Sequence, residues 1–195
     1  MDVLVLKACV TLPLCARAIA VPFMAGALLL APLNCLAAPA PPLEYAVKAA
    51  YLSKFALFVE WPETAFETPT SALNLCVAGI DPFGATLDSL IDGERIGARP
   101  IAVRRIPVAM RNSGCHILYL GGSEDQPVTE GLTAVAGDSV LTVTDASMAA
   151  TAGILNFVIA NGRVRFNVDE QAASMNRITI SSHLLGLALA VRPRT

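Results

Sequence analysis

Cys115 and His116 stand side by side, and a thiol beside an imidazole is the pairing in this chain that comes closest to a nucleophilic site. Neighbours on a strand point to opposite faces, so adjacency argues against a thiol–imidazole dyad. His183 is the other of the two histidines and follows Ser181 and Ser182. That grouping lacks the Gly-x-Ser-x-Gly turn that lifts a serine nucleophile out of a sheet. No His, Cys or carboxylate cluster has recognisable metal-ligand spacing, so neither a metal site nor a catalytic residue is assigned. Two glycine turns, Gly79-x4-Gly84 and Gly121-Gly122-Ser123, precede expected helix starts, where anions can bind. Neither continues into Gly-Lys-Ser/Thr, so neither is a P-loop. They read as tight strand-to-helix turns, with a small-ligand crevice as the other reading, and no cofactor is expected.

The remaining cysteines point to a compartment. Five occur, and Cys9, Cys15 and Cys35 lie near the N-terminus. There Lys7 and Arg17 precede an apolar run from Ala18 to Leu33, which leads into Cys35-Leu36-Ala37-Ala38-Pro39-Ala40. A positive start, an apolar middle and a small-residue exit form a cleavable secretion signal, cut after Ala37 or Ala38. An uncleaved anchor is disfavoured by the shortness of the run and by Pro22. A lipoprotein cut before Cys35 is disfavoured by Asn34. Residues 1–38 are therefore expected to be a signal peptide and residues 39–195 one exported α/β domain. The signal removes three cysteines, leaving Cys76 and Cys115, and two cysteines in an exported domain point to a disulfide. Closing that loop stabilises the fold by about 4 kcal/mol on the chain-entropy account.

Charge excludes one class of partner. The net charge is −2, and the only basic pair that stands out is Arg104-Arg105, so no nucleic-acid footprint is present. After the signal, the most apolar stretch is Leu184 to Val191, too short to span a bilayer.

These residues need elements to position them. Leu43 to Val59 reads as a helix whose stripe is Val47, Tyr51, Phe55 and Phe58, ended by Trp61-Pro62. Leu73 to Ala78 is a strand apolar on both faces. Asp81-Pro82 starts a helix that runs to Ile91. Strands follow at Arg99–Ile106, Cys115–Leu120 and Ser139–Thr144, with a helix to Ala136 begun by a Ser123/Gln126 capping box. Asn161-Gly162 joins Ile154–Ala160 to Arg163–Val168 as a hairpin. Asp169 caps a short helix, and Ser181 or Ser182 starts a last one ending near Val191. The alternation predicts a three-layer α/β domain with a mixed, partly parallel sheet flanked by helices, ending in a β-hairpin and helices. If the first and third of these strands are neighbours, Cys76 and Cys115 come within disulfide reach.

Two surface features are candidates for partner binding. On the second hairpin strand, Arg163, Arg165 and Asn167 share a polar face opposite Val164, Phe166 and Val168. Trp61, the only tryptophan, sits at a helix end and is the other candidate anchor.

Several segments in order resemble the YfiR family. They are Lys54-Phe55-x-x-Phe58-x-x-Trp61-Pro62, Leu73-Asn74-Leu75-Cys76-Val77-Ala78-Gly79 with Asp81-Pro82-Phe83-Gly84, and Cys115-His116-Ile117-Leu118-Tyr119-Leu120. Val140-Leu141-Thr142-Val143, Gly153-Ile154-Leu155-Asn156-Phe157, Arg163-Val164-Arg165-Phe166 and Ile180-Ser181-Ser182-x-Leu184-Leu185 complete the pattern. The resemblance implies a periplasmic repressor, not an enzyme, that binds the periplasmic sensor domain of an inner-membrane diguanylate cyclase. Such binding lowers cyclic-di-GMP and restrains biofilm formation. It also implies an outer-membrane lipoprotein as a second partner, and a redox-responsive cysteine pair whose positions match Cys76 and Cys115. A second pair found in better-studied members has no counterpart in residues 148–157. Whether the domain forms a homodimer stays open.

Overall fold

A computed structural model describes residues 42–194. The secretion signal, its cut site and the first three cysteines lie outside the described residues.

Leu43–Phe55 forms α1, and a 3-10 turn at Ala56–Phe58 closes it. The expected helix therefore stops short of Val59. Val59 is extended and buried, and Val59–Glu60 makes a short strand, β1. Its partner is β9 at Thr179–Ile180, and Ser181 N–H donates to Phe58 O beside it at 2.9 Å. That tertiary pairing, with Pro62 barring helix at Trp61, ends the helix early. The face α1 buries also differs from expectation. Lys48, Ala49, Leu52, Ser53 and Phe55 point inward, whereas Val47 is 38% exposed and Tyr51 only half-buried. α1 thus carries apolar residues on two sides, and only one meets the sheet.

The main sheet has eight strands in the order β10-β8-β7-β6-β5-β2-β4-β3. Its centre is parallel: β4 (Arg99–Ile106), β2 (Leu73–Gly79), β5 (Ile117–Gly122), β6 (Leu141–Asp145) and β7 (Leu155–Ala160). The first and third long strands, β2 and β5, are neighbours as expected, with Leu75 opposite Ile117 and Val77 opposite Tyr119. Antiparallel additions close both sides: β8 (Arg163–Asp169) on β7, and β3 (Arg95–Ile96) on β4. The Asn161-Gly162 hairpin forms, both residues at positive φ (52° and 68°), the backbone that a two-residue turn between twisted strands requires.

Strand alternation divides the core into layers. Leu75, Val77, Ile117, Tyr119, Leu141, Val143, Leu155 and Phe157 face one side, packing with residues of α1, α2 (Ala85–Ile91), α4 (Glu170–Met175) and α5 (Ser182–Leu187). Cys76, Ala78, Leu118 and Leu120 face the other, under Val128 of α3 (Val128–Ala134) and Val135 after it. The fold is the three-layer α/β arrangement with a mixed sheet.

Three further helix boundaries depart from expectation, two of them for local reasons. Asp81 does not cap α2; its carboxylate accepts from Phe83 and Gly84 N–H, and Gly84 occupies the cap position at φ 51°. Ser123 and Gln126 hydrogen-bond each other in both directions and close a turn, while the Gln126 amide is spent on Ala109, so α3 waits until Pro127 has passed. α5 ends at Leu187 instead of near Val191. Leu189 N–H donates to Phe166 O at 2.8 Å, and Ala190–Arg192 then runs parallel to β8 as β10. Asp169 and Ser181 cap α4 and α5 as read from the sequence.

Candidate functional site

Cys76, on β2, and Cys115, just before β5, form a disulfide with Cα atoms 5.8 Å apart. Both are buried, in the layer under α3. The Cys115 sulfur is therefore committed, and the next residue is committed too. Asn74 N–H donates to His116 Nδ1 at 3.0 Å, and Nε2–H donates to Ala65 O at 3.0 Å. A backbone donor at Nδ1 fixes the neutral Nε2–H tautomer. Phe66 stacks on the ring at 4.3 Å, Trp61 meets it edge-on at 6.3 Å, and the Arg99 guanidinium lies 3.6 Å from the Phe66 ring centre. Trp61 Nε1–H donates to His116 O at 3.2 Å. Burial, and then the Arg99 charge, hold the imidazole below its usual range. Cys115 and His116 thus brace structure and have no free atoms for nucleophile and base.

The two glycine turns meet each other. Ile80 N–H donates to Gly122 O at 2.9 Å. A Cβ on Gly79 would lie 2.4 Å from Gly122 O, and one on Gly121 would lie 2.0 Å from Ile80 O. These glycines permit two backbones to touch between β2 and β5, where strand order reverses and open α/β sheets usually take ligands. A shallower cleft of about 740 Å³ lies beside them, lined by Gly121–Glu124 and Ser147–Thr151 among others.

Past the carboxyl end of β6 is a charge cluster that sequence reasoning missed. Lys48 of α1 is fully buried and hydrogen-bonds both Asp145 and the half-buried Glu44. Its ammonium lies 4.7 Å from the Tyr45 ring centre. Burial opposes the charge, but the hydrogen bonds to Asp145 and Glu44 outweigh it and hold the ammonium above its usual range. Burial and the nearby Asp145 charge push the Tyr119 phenol up, and it donates to Met148 Sδ at 3.3 Å. Asp145 also accepts from Ser147 N–H and Oγ, so the cluster ties α1 to the turn after β6. A signal existed: Lys48, Leu52 and Phe55 share one helical stripe.

The unburied side of α1 forms the wall of an apolar groove of about 540 Å³. Val47, Tyr51 and Leu57 line one side, Leu184 and Leu187 the other, and Phe55, Phe58 and Phe166 also contribute. The apolar stripe read from the sequence, Val47, Tyr51, Phe55 and Phe58, lines this groove. Leu57 and Leu187 stand 56% and 49% exposed.

The candidate partner residues do not form one patch. Arg163 is exposed beside the hairpin turn, and Arg165, half-buried, donates to Leu187 O at 3.3 Å, joining the hairpin to the groove. Asn167 lies opposite Ala190 of β10, its side-chain oxygen enclosed without a partner. Trp61 is half-buried at the other end of the sheet, where the parallel strands begin. The structure therefore links Arg165 to the groove, whose lining does not include Trp61.

The sequence profile of the YfiR/HmsC-like family matches residues 45–189. The chain belongs to this family. The match runs from the first turn of α1 to just past α5, so the disulfide, His116, the Lys48–Asp145 pair and the groove of this YfiR/HmsC-like domain all fall within it, Glu44 standing one residue before. No curated protein matches the chain.

Proposed function

We propose that this YfiR/HmsC-like protein works in the periplasm as an inhibitory binding protein. It binds the periplasmic sensor domain of an inner-membrane diguanylate cyclase, favours the inactive state, lowers cyclic-di-GMP and restrains biofilm formation. The observation that carries this reading is the family match over residues 45–189. The N-terminal secretion signal supports the compartment, as does a buried disulfide, which persists in oxidising surroundings. Among the described residues no helix is long and apolar enough to cross a membrane. Inhibition requires no chemistry from the chain: a protein that binds one state of its partner more tightly shifts the population toward that state.

The contact surface proposed is the α1–α5 groove with Arg165 at its edge and Arg163 beyond, Asn167 completing the hairpin strand. Exposed apolar anchors beside an arginine suit a hot spot. Trp61 is a separate contact, and an outer-membrane lipoprotein that sequesters the protein is the second partner. A small-ligand sensor is the competing reading. That reading would use the cleft of about 740 Å³ beside the glycine turns, since the backbone contact between Gly79 and Gly122 closes the gap between β2 and β5 itself.

The test is affinity capture from periplasm and solubilised inner membrane, with the mature protein as bait. Wild type is expected to retain a membrane protein carrying a diguanylate cyclase domain. Leu187→Asp is expected to bind it roughly 30-fold more weakly, the loss of one strong anchor. Recovery of no membrane signalling protein, with a metabolite raising the melting temperature instead, overturns the proposal in favour of the sensor.

A further inference from the structure

His116 holds together pieces that lie far apart in the chain. Its ring nitrogens join Asn74 at the start of β2 to Ala65 in the loop after β1. Its face carries Phe66 and its carbonyl oxygen takes the Trp61 indole N–H. Besides His116, the loop is held by Trp61 and Phe66, which pack against the edge of the core, and by Arg99. Arg99 donates to Thr68 O and Ser71 O at 2.7 and 3.1 Å, near the loop's far end. At its near end, β1 holds β9 by two residue pairs.

We propose that His116 is an acid-sensitive latch, whose protonation releases the Trp61–Phe66 loop from the starting edge of β2 and β5. The reason is the donor count. A neutral ring accepts from Asn74 N–H at Nδ1 and donates to Ala65 O from Nε2. A protonated ring donates from both nitrogens, so Nδ1–H would face the Asn74 N–H, donor against donor. The backbone amide of a strand cannot turn away, so the ring must leave. The surroundings offer the cation only the Ala65 carbonyl oxygen, which Nε2–H already meets and which burial outweighs. Both nitrogens meet backbone and neither meets a carboxylate. Arg99 of β4 stands on Phe66, while Glu63 and Glu67 of the loop are exposed to solvent. Asp138 and Arg177 line the cleft beside Ala65 and Cys115. From β2 comes Asn74, which is neutral, and from β6 the Leu141 backbone N–H, which donates to His116 O.

The direction with pH follows. Burial holds the folded imidazole below its free value of 6.5. The latch's contribution to stability is complete above that value and is lost as pH falls through the lowered folded value. Release reaches further than the loop. β1 pairs with β9, Ser181 N–H bonds Phe58 O, and Phe58 stacks on His183 at 5.4 Å. Phe58 and Leu184 also line the apolar groove, so acidification loosens one of its walls.

Trp61 is the only tryptophan and reports on the loop directly. In the purified mature protein, its emission is expected to shift to the red, reversibly, as pH falls below 6.5. His116→Gln offers an oxygen to Asn74 and an N–H to Ala65 without titrating, and is expected to stay flat. His183→Gln is expected to titrate like wild type. A flat wild-type response, or the same midpoint in His116→Gln, overturns the latch. If the variant does not fold, hydrogen exchange on wild type decides. Peptides covering residues 61–66, corrected for intrinsic pH dependence, should lose protection at low pH while those from β5 and β6 keep it. Equal protection at both pH values, or quenching without faster exchange, overturns the proposal.

Discussion

Lys48 shows how one residue can matter more than its sequence position suggests. A fully buried ammonium between Asp145 and Glu44 is tolerated because its charge and protons are met. Lys48→Met removes the cation and leaves Asp145 buried beside an apolar chain. The expected loss is about 3–5 kcal/mol, read as a lower urea midpoint with an unchanged slope. A loss below about 1 kcal/mol would show that Asp145 finds water or another donor. His116 was legible only by exclusion: its neighbour argued it out of a catalytic dyad, but its partners Asn74 and Ala65 lie far off in sequence. Cys76 and Cys115 were legible because the secretion signal expected over residues 1–38 would account for the other three cysteines. Replacing both with alanine is expected to cost about 2–4 kcal/mol, and thermal unfolding of the oxidised wild type against the variant measures it. Equal melting temperatures would mean that the crosslink does not constrain the unfolded chain.

Elements explain which readings held. The hairpin, the parallel strands and the caps at Asp169 and Ser181 are set by signals within a few residues, and they form as read. Two of the misreadings involve partners distant in sequence, whereas those at Asp81 and Ser123 come from turns only a few residues long. Val59 left the helix to pair with Ile180, and the end of α5 gave way to β10 on β8. α1 misled because both of its sides are apolar, and periodicity cannot say which side meets the sheet. The glycine turns belong at this scale as well, since Gly79 and Gly121 matter as a pair of touching backbones. Gly121→Ala places a methyl 2.0 Å from Ile80 O, with backbone on both sides. A loss of about 1–3 kcal/mol in chemical denaturation is expected, the range for overpacking. Gly162→Ala, which meets open space, should lose only the roughly 1–2 kcal/mol that a positive φ costs a side chain. Equal costs would mean that the contact between the turns is not tight.

Across the whole molecule, the sheet separates two ends with different characters. Trp61, His116 and the disulfide gather where the parallel strands begin, and the hairpin turn, the glycine contact and the Lys48 cluster lie where they finish. The apolar groove joins α1 to α5 and touches the hairpin through Arg165. Its aromatic and leucine lining was present in the sequence, but a groove was not legible there, because exposure depends on what the fold leaves uncovered. The most direct measurement is cellular cyclic-di-GMP in the native host, with the gene deleted and then restored. The account predicts a rise on deletion, return to the original level with the exported wild-type protein, and failure of export-blocked protein and of Leu187→Asp to restore it. Unchanged cyclic-di-GMP on deletion, or full restoration by protein kept in the cytoplasm, would contradict it.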